Sequence, residues 1–339
     1  DVSSIEDVNI QPDDSSINPY VKETDDYGAN GYTIYIIPAN TPASARASIK
    51  NVCEFPEDVN MEVNPVLKNN SLHLDSLVLF RQGSNCSPSF YLQDYYKKYT
   101  NGYDIDVLAE NIYERWQRFI DSPDNQSPDL SLAHCRDGIV YRLVNISRNR
   151  EMLKNVPYIP FFDLAVVFYY VLRNNSDGLQ SLRINTALRK RWDLTTKELF
   201  ELAIKNTPRM FPERFRSMRE FLEQYPMPEE LSSEDVPWEY SPYVLTNSNG
   251  INGAAVFLYP DVLEQTGKKL GSNYYILPSS THELLILKEQ TKHDAKDLLD
   301  MVYCVNRRCV DPEEFLSDNI YFYDCQQKKL KMISTDDSM

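Results

Sequence analysis

The segment from Pro242 to Leu287 holds the side chains best suited to chemistry in this 339-residue chain. Polar residues stand there at the ends of apolar runs, where binding and catalytic groups are usually placed: Asn247, Ser279, Ser280, His282 and Glu283. Among four histidines, His282 is the best candidate for a general base, with Ser279 or Ser280 as the nucleophile and Glu283 to orient the ring. We favour a turn with capped polar groups instead, because Ser and Pro mark turns and adjacent strand side chains point to opposite faces.

Asp163 is the second residue that could do chemistry, because it interrupts the apolar run PFFDLAVVFYY. A carboxylate in such surroundings needs a partner, or it acquires a shifted pKa and a task. Pairing with an arginine is the interpretation that we favour. The alternative is a hydrolase-type enzyme in which His282 and Glu283 act with Asp163 or Asn85 close by.

The common cofactor motifs are missing from the sequence. Neither G-x-x-x-x-G-K-[ST] nor G-x-G-x-x-G occurs among the 10 glycines, so no common phosphate cradle is encoded. His282-Glu283 begins like a zinc-protease motif, but Ile286 stands where the second histidine would be. We therefore expect no cofactor and no metal site.

A basic stretch runs from Arg183 to Arg219 in a chain whose net charge is −15. Clustered Lys and Arg can bind phosphate, and charge reversal at Arg214 and Arg216 would then abolish salt-sensitive binding to nucleic acid. We favour solvated helix faces, since nucleic-acid binders are usually basic overall. Nucleic acid is thus the weaker of the partner hypotheses.

The composition predicts a folded, soluble protein of the cytoplasm. The chain is 42% hydrophobic, yet no run approaches the about 18 uninterrupted apolar residues of a membrane helix, so no membrane partner is expected. The six cysteines are scattered without a C-x-x-C pair, which is typical of structural thiols in a reducing compartment. The chain begins at Asp1 without a signal-peptide pattern.

Alternating strand and helix patterns predict an α+β fold with mixed or antiparallel sheets and packed helices. Residues 1–50 form an acidic extension that we expect to be disordered or variable, 51–125 a small N-terminal subdomain, and 136–335 a larger C-terminal one. The run FFDLAVVFYYVL is a strand or a helix, which apolar periodicity cannot decide. The other predicted elements are strands at 32–37, 61–68, 72–80, 138–145, 243–246, 254–259, 274–277, 283–287 and 320–323, an aromatic-rich connector before Gly102, and helices from Asp104, from Thr195 to a stop at Pro208, from Pro212 to about Gln224, at 260–270 and at 294–305.

Six segments resemble the bacterial family of unknown function DUF5688, common in Firmicutes. They are VLKNNSLHLDSLVLFRQGSNCSPSFYLQDYYKKYTNG, NVPYIPFFDLAVVFY, NTPRMFPERFRSM, PYVLTNSNGINGAAVFLYP, LPSSTHELLIL and DPEEFLSDNIYFY. The resemblance runs from about Val59 to Asp324 and implies a cytosolic bacterial protein without an assigned activity. Its recurring polar positions map to Asn85, Asp94, Asp163, Arg209, Asn247, His282, Glu283, Asn306 and Asp318.

The sequence leaves two main functional hypotheses. We prefer a non-enzymatic binding or regulatory module that holds a macromolecular partner through the aromatic connector and the His282 turn. Its candidate binding residues are Asn85, Asp94, Arg209, Asn247 and Ser280. The hydrolase alternative, with candidates His282, Glu283 and Asp163, requires these residues to converge in one pocket.

Overall fold

The fold is α+β, as the sequence predicts. The computed structural model of the chain describes residues 21–23, 32–36, 47–49, 58–81, 87–122, 128–175, 178–222, 242–278, 280–289 and 294–334. Clustering of backbone contacts divides the chain into two compact units. The first comprises Asp1–Lys68, Leu72–Leu130 and Val171–Leu182, and the second comprises Asn69–Ser71, Ser131–Tyr170 and Arg183–Met339. None of the described helices is long and apolar enough to cross a membrane.

The described residues of the first unit include two antiparallel three-stranded sheets and two helices. Its elements are β1 (Val21–Glu23), β2 (Tyr32–Ile36), β3 (Ala47–Ile49), β4 (Val59–Leu67), β5 (His73–Arg81), β6 (Ser89–Tyr91), α1 (Leu92–Thr100) and α2 (Ile105–Ile120). Strand β2 was predicted, whereas β1 and β3 were not. The remaining residues of the acidic extension lie outside the described ranges. The prediction that the extension is disordered concerns those residues.

The sequence predicts the β4–β5 hairpin and helix α2 correctly. Strands β4 and β5 form the expected hairpin, and Asn70 takes a positive φ of 58° in its turn. Asp104 caps α2 by accepting a hydrogen bond from the Asp106 amide. The aromatic-rich connector, for which the sequence predicted no element, consists mostly of α1, whose Leu92 and Tyr95 pack against the buried face of α2.

The second unit is built on a four-stranded and a six-stranded sheet. Its strands are β7 (Ile139–Asn145), β8 (Tyr158–Phe161), β9 (Leu164–Asn175), β10 (Gly178–Arg183), β11 (Glu213–Ser217), β12 (Tyr243–Asn247), β13 (Tyr274–Leu277), β14 (Leu284–Lys288), β15 (Ile320–Asp324) and β16 (Lys329–Ile333). Its helices are α3 (Leu132–Cys135), α4 (Thr186–Arg191), α5 (Thr196–Met210), α6 (Met218–Leu222), α7 (Val262–Leu270) and α8 (Ala295–Arg308). The larger sheet has the order β11-β12-β14-β13-β15-β16, so β11 is an edge strand among the described strands. Residues 171–175 of β9 and five of the six residues of β10, 178–182, cluster with the first unit instead.

Local capping signals explain why several predicted helices are confirmed. Thr195 and Glu198 form the expected capping box in front of α5. Gly271 ends α7 at a φ of 69°, and Asp294 caps α8. The ambiguous apolar run is resolved as strands β8 and β9, with Asp163 in the turn between them.

Three predictions in this unit were wrong. Pro208 does not stop α5, which ends at Met210, because a proline within the last turn costs a single backbone bond. The predicted helix from Pro212 is instead strand β11 followed by the short α6, since β11 pairs along its whole length with β12. The predicted strand 254–259 is a 3-10 helix at Gly253–Leu258, buried on nearly every side and therefore uniformly apolar.

Candidate functional site

The His282 turn has the geometry of a capped turn. The Ser280 hydroxyl accepts a hydrogen bond from the His282 amide at 2.9 Å and donates one to Glu283 Oε1 at 2.7 Å. No imidazole nitrogen takes part in this pair, so Ser280 and Glu283 contact each other without the histidine between them. Ser279 lies outside the described residues.

The hydrogen bonds of His282 define its tautomer. Nδ1 accepts from the Asn252 amide at 3.1 Å, so the ring proton resides on Nε2, which lies 3.1 Å from Glu314 Oε1. Both ring nitrogens are therefore occupied within the fold. A general base needs a free lone pair facing its nucleophile, and His282 presents none to Ser280.

Asp163 is held by neutral donors and not by the arginine that the sequence analysis favoured. Ser317 donates to Oδ2 at 2.5 Å, Asn319 Nδ2 donates to the same oxygen at 3.0 Å, and the Tyr321 hydroxyl donates to Oδ1. Burial, with the Asp163 charge, holds the pKa of Tyr321 well above its usual value. These contacts fix the β8–β9 turn against the loop before β15 and account for a carboxylate at this position.

The loop Pro312–Asn319 accepts side-chain hydrogen bonds from several asparagines that lie elsewhere in the second unit. Asn70 Nδ2 donates to the carbonyls of Pro312, Glu313 and Phe315, the last at 2.7 Å. The Asn145 side chain donates to the carbonyl of Leu316 and that of Asn306 to the carbonyl of Ser317. Because Phe315, Leu316 and Ser317 are buried in an irregular segment, their carbonyls need such donors.

Asp318 anchors the end of this loop to α8. Arg307 donates to both of its carboxylate oxygens, at 2.8 and 2.9 Å, and Asn306 donates to Oδ1 at 3.0 Å. Burial acts to raise the pKa of Asp318, but the hydrogen bonds from Arg307 and Asn306 outweigh it and lower that pKa below its usual 3.8.

Asp318→Asn is expected to lower the free energy of unfolding by about 1 kcal/mol at neutral pH, because the pair is partly exposed and screened. A lowered native pKa stabilises above the unfolded-state value of 3.8, and this contribution is lost as the pH falls through the native pKa. Urea unfolding at pH 7 and pH 3.5 measures the difference, with Asp300→Asn on the exposed face of α8 as the control. If Asp318→Asn lowers the free energy of unfolding by the same amount at both pH values, the lowered pKa of Asp318 is contradicted.

The other predicted binding residues are dispersed. Asn85 lies outside the described residues, and Asp94 is exposed on α1 of the first unit. Arg209 on α5 donates to the Asp137 carbonyl at 2.6 Å, a structural contact. Asn247, in contrast, lines a cavity.

That cavity has a volume of about 180 Å³ and lies over one face of β11 and β12. It is lined by Arg214, Arg216, Phe221, Val244, Thr246, Asn247, Ser248, Asn249 and Gly250. Arg214 pairs with Thr246 and Arg216 with Val244 across the two strands, so these four side chains share one face. The two arginines are two residues apart on a strand, which places their Cα atoms about 6.8 Å apart.

The far wall of the cavity is a rigid turn at the end of β12. Asn247 Oδ1 accepts from the amides of Asn249 and Gly250, and its Nδ2 donates to the Ile251 carbonyl at 2.9 Å. The Thr246 hydroxyl donates to the carbonyl of His282 at 2.7 Å. The His282 turn therefore supports the cavity from behind, and Asn247 shapes the wall with its amide groups already satisfied.

The electrostatics of the cavity favour an anion. Within the part of the chain that the structure describes, neither Arg214 nor Arg216 forms an ion pair or a side-chain hydrogen bond. Hydrogen bonds from Ser217 chiefly, with a weaker effect of the Arg216 charge, lower the pKa of Glu220. The Glu220 carboxylate accepts hydrogen bonds from the backbone amide and the hydroxyl of Ser217.

No cluster of three or more His, Cys, Asp or Glu side chains suited to a metal ion occurs among the described residues. The described residues thus include a cavity lined by two arginines and a polar turn. From the sequence, Arg214 and Arg216 were recognised only as members of a basic stretch and not as the walls of a cavity, because Pro212 indicated a helix at this place. The signal that could have found them is the alternation Glu213-Arg214-Phe215-Arg216-Ser217, which has the period of a strand.

The fold and the cavity define an α+β protein with an anion-compatible pocket at a sheet edge. The profile of a family of unknown function, DUF5688, matches residues 44–325. The chain belongs to this family. No curated protein and no solved structure matches it significantly.

Proposed function

We propose that this protein is a non-enzymatic binding module whose ligand places an anionic group, a phosphate or a carboxylate, between Arg214 and Arg216. The observation that carries the proposal is the pair of guanidinium groups on one face of an edge strand, lining a cavity without an ion pair among the described residues. Guanidinium forks bind the oxygens of phosphate and carboxylate in two-point contacts.

The size of the cavity supports recognition of one group and not of a whole nucleotide. A volume of about 180 Å³ is below the about 300 Å³ at which small-molecule pockets begin. Buried Val244 and Thr246 form its floor, which lowers the local dielectric and strengthens each charge–charge contact. The ligand would therefore insert one anionic group here and contact the protein elsewhere with its remainder.

Inorganic phosphate and acetate are the smallest probes of this proposal. Titration followed by 1H–15N NMR is expected to give saturable millimolar binding with shifts at the Thr246, Asn249 and Gly250 amides. Arg214→Gln with Arg216→Gln should weaken it by at least about tenfold, since charged hydrogen bonds contribute about 1.5–3 kcal/mol each.

Lys190→Gln with Arg191→Gln is the matched control, because it removes the same charge from exposed positions of the same basic stretch. If both double variants bind phosphate equally weakly, the anion is attracted by the charge of the whole basic stretch, and a site at the cavity is refuted. Tight binding of an oligonucleotide with a steep salt dependence would instead favour the nucleic-acid hypothesis.

We further infer a bacterial, cytosolic setting, which the family resemblance implies. The thiols of Cys304, Cys309 and Cys325 form no disulfide within the part of the chain that the structure describes, which supports a reducing compartment. Counting reactive thiols in denatured protein taken from its own host, without reductant, tests this. Fewer titratable thiols than cysteines would indicate disulfides and an oxidising compartment.

A further inference from the structure

The edge of β11 presents backbone groups as well as arginines. The Met218 amide donates to the Pro242 carbonyl at 3.0 Å, whereas the Ser217 amide donates to Glu220 Oε2 and not to β12. Bonded and non-bonded pairs alternate in an antiparallel ladder, so Arg216 and Arg214 form the bonded pairs with β12. The N–H and C=O of Phe215 consequently point away from β12, toward the open edge.

Phe215 has no strand partner on that side among the described residues. Its ring lies on the face opposite to the arginines, stacked on Tyr243 at 5.0 Å and 8° between planes. Lys269 of α7 lies 5.5 Å above that ring. The edge therefore combines the outward-facing backbone groups of Phe215 with an aromatic side chain on one face and two arginines on the other.

We propose that β11 is a docking edge for an extended acidic peptide segment of a partner protein, which adds to the sheet as an antiparallel strand. This inference rests on the proposed anion site and names the ligand that fills it. The residue opposite Phe215 would exchange two backbone hydrogen bonds with it, and the residues on either side would bring carboxylates to Arg214 and Arg216. The partner segment thus alternates apolar and acidic residues.

Charge complementarity selects this occupant over a second copy of the chain or a nucleic acid. Charged residues on an edge strand normally prevent pairing, and a second β11 would bring four arginines together. A nucleic acid has no backbone donor and acceptor at strand spacing to pair with Phe215. An acidic strand satisfies both the arginines and the free backbone groups.

A fluorescein-labelled nine-residue peptide that alternates valine and glutamate is the probe. We expect saturable binding to the intact chain by fluorescence anisotropy, lost with Arg214→Gln and Arg216→Gln but retained with Lys190→Gln and Arg191→Gln. N-methylation of the valines removes the amides that face Phe215 and should weaken binding at least about tenfold. N-methylation of the glutamates alters amides that face away and should change binding less than about threefold.

The outcomes separate this inference from the proposed function. Equal binding of the two N-methylated peptides, with loss in the arginine variant, would overturn strand addition and leave the anion site standing. Equal binding of a peptide with its glutamates in one block would likewise overturn it. If neither peptide nor phosphate binds, the proposed function itself fails, whereas selective loss on valine N-methylation supports the docking edge.

Discussion

Gly253→Ala is expected to lower the free energy of unfolding by about 3 kcal/mol or more, an overpacking cost at the upper end of the usual range. A Cβ at this buried position would lie 2.0 Å from Thr246 Oγ1 and 2.2 Å from the His282 carbonyl oxygen. These two atoms are hydrogen-bonded to each other, so the added methyl group would separate β12 from the His282 turn. Urea unfolding followed by circular dichroism measures the effect.

Gly271→Ala is the matched control for Gly253→Ala. Gly271 has a φ of 69° and no atom near an added Cβ, so this change adds backbone strain of about 1 kcal/mol without a clash. Gly253→Ala should therefore be clearly the more harmful of the two. If the two variants unfold at the same urea concentration, the close approach of Thr246 and His282 to Gly253 is not what stabilises this wall.

Asn70→Ala is expected to cost about 3 kcal/mol, because it leaves carbonyls of the Pro312–Asn319 loop without a donor and strains a left-handed residue. The Asn70 side chain also accepts a hydrogen bond from Asn149 Nδ2 at 3.0 Å. The backbone amide of Asn70 donates to Asn149 Oδ1 at 2.9 Å. Asn149 is completely buried, so the loss would leave it partly unsatisfied. Thermal and urea unfolding are the measurements.

Asn70→Gly separates the two causes, because glycine tolerates the φ of 58° and removes only the amide. We expect it to be less harmful than Asn70→Ala by about 1 kcal/mol. Asn64→Ala, whose side chain makes only an exposed contact of 3.5 Å with Glu62, should stay within about 0.5 kcal/mol of the unaltered protein. An Asn70→Ala variant as stable as Asn64→Ala would show that the loop does not need these bonds.

Elements with local signals could be predicted from the sequence. The Thr195–Glu198 capping box, the Asp104 cap and the Gly271 helix end depend on residues within one turn of each other, so their chemistry is visible in a short window. Strand β11 depends on pairing with β12, nearly thirty residues later by its register. Pro212, a residue suited to open a helix, misled the prediction because long-range pairing decided the structure.

The candidate site shows the same division between local and distant information. The Ser280–Glu283 turn is local and was favoured from sequence. The partners of Asp163 are separated from it by 154 to 158 positions, which no local pattern encodes. Arg214 and Arg216 were noticed for their charge, but the cavity exists only because β12 brings Thr246 and Asn247 beside them.

The most direct test of the anion site is a crystal of the protein grown or soaked with tungstate, a phosphate mimic whose anomalous signal locates it. We expect one ion between the guanidinium groups of Arg214 and Arg216, near the turn Asn247–Gly250, and its loss in the Arg214→Gln, Arg216→Gln variant. A strong tungstate site elsewhere with this cavity empty, or an ion that persists in the double variant, would contradict it.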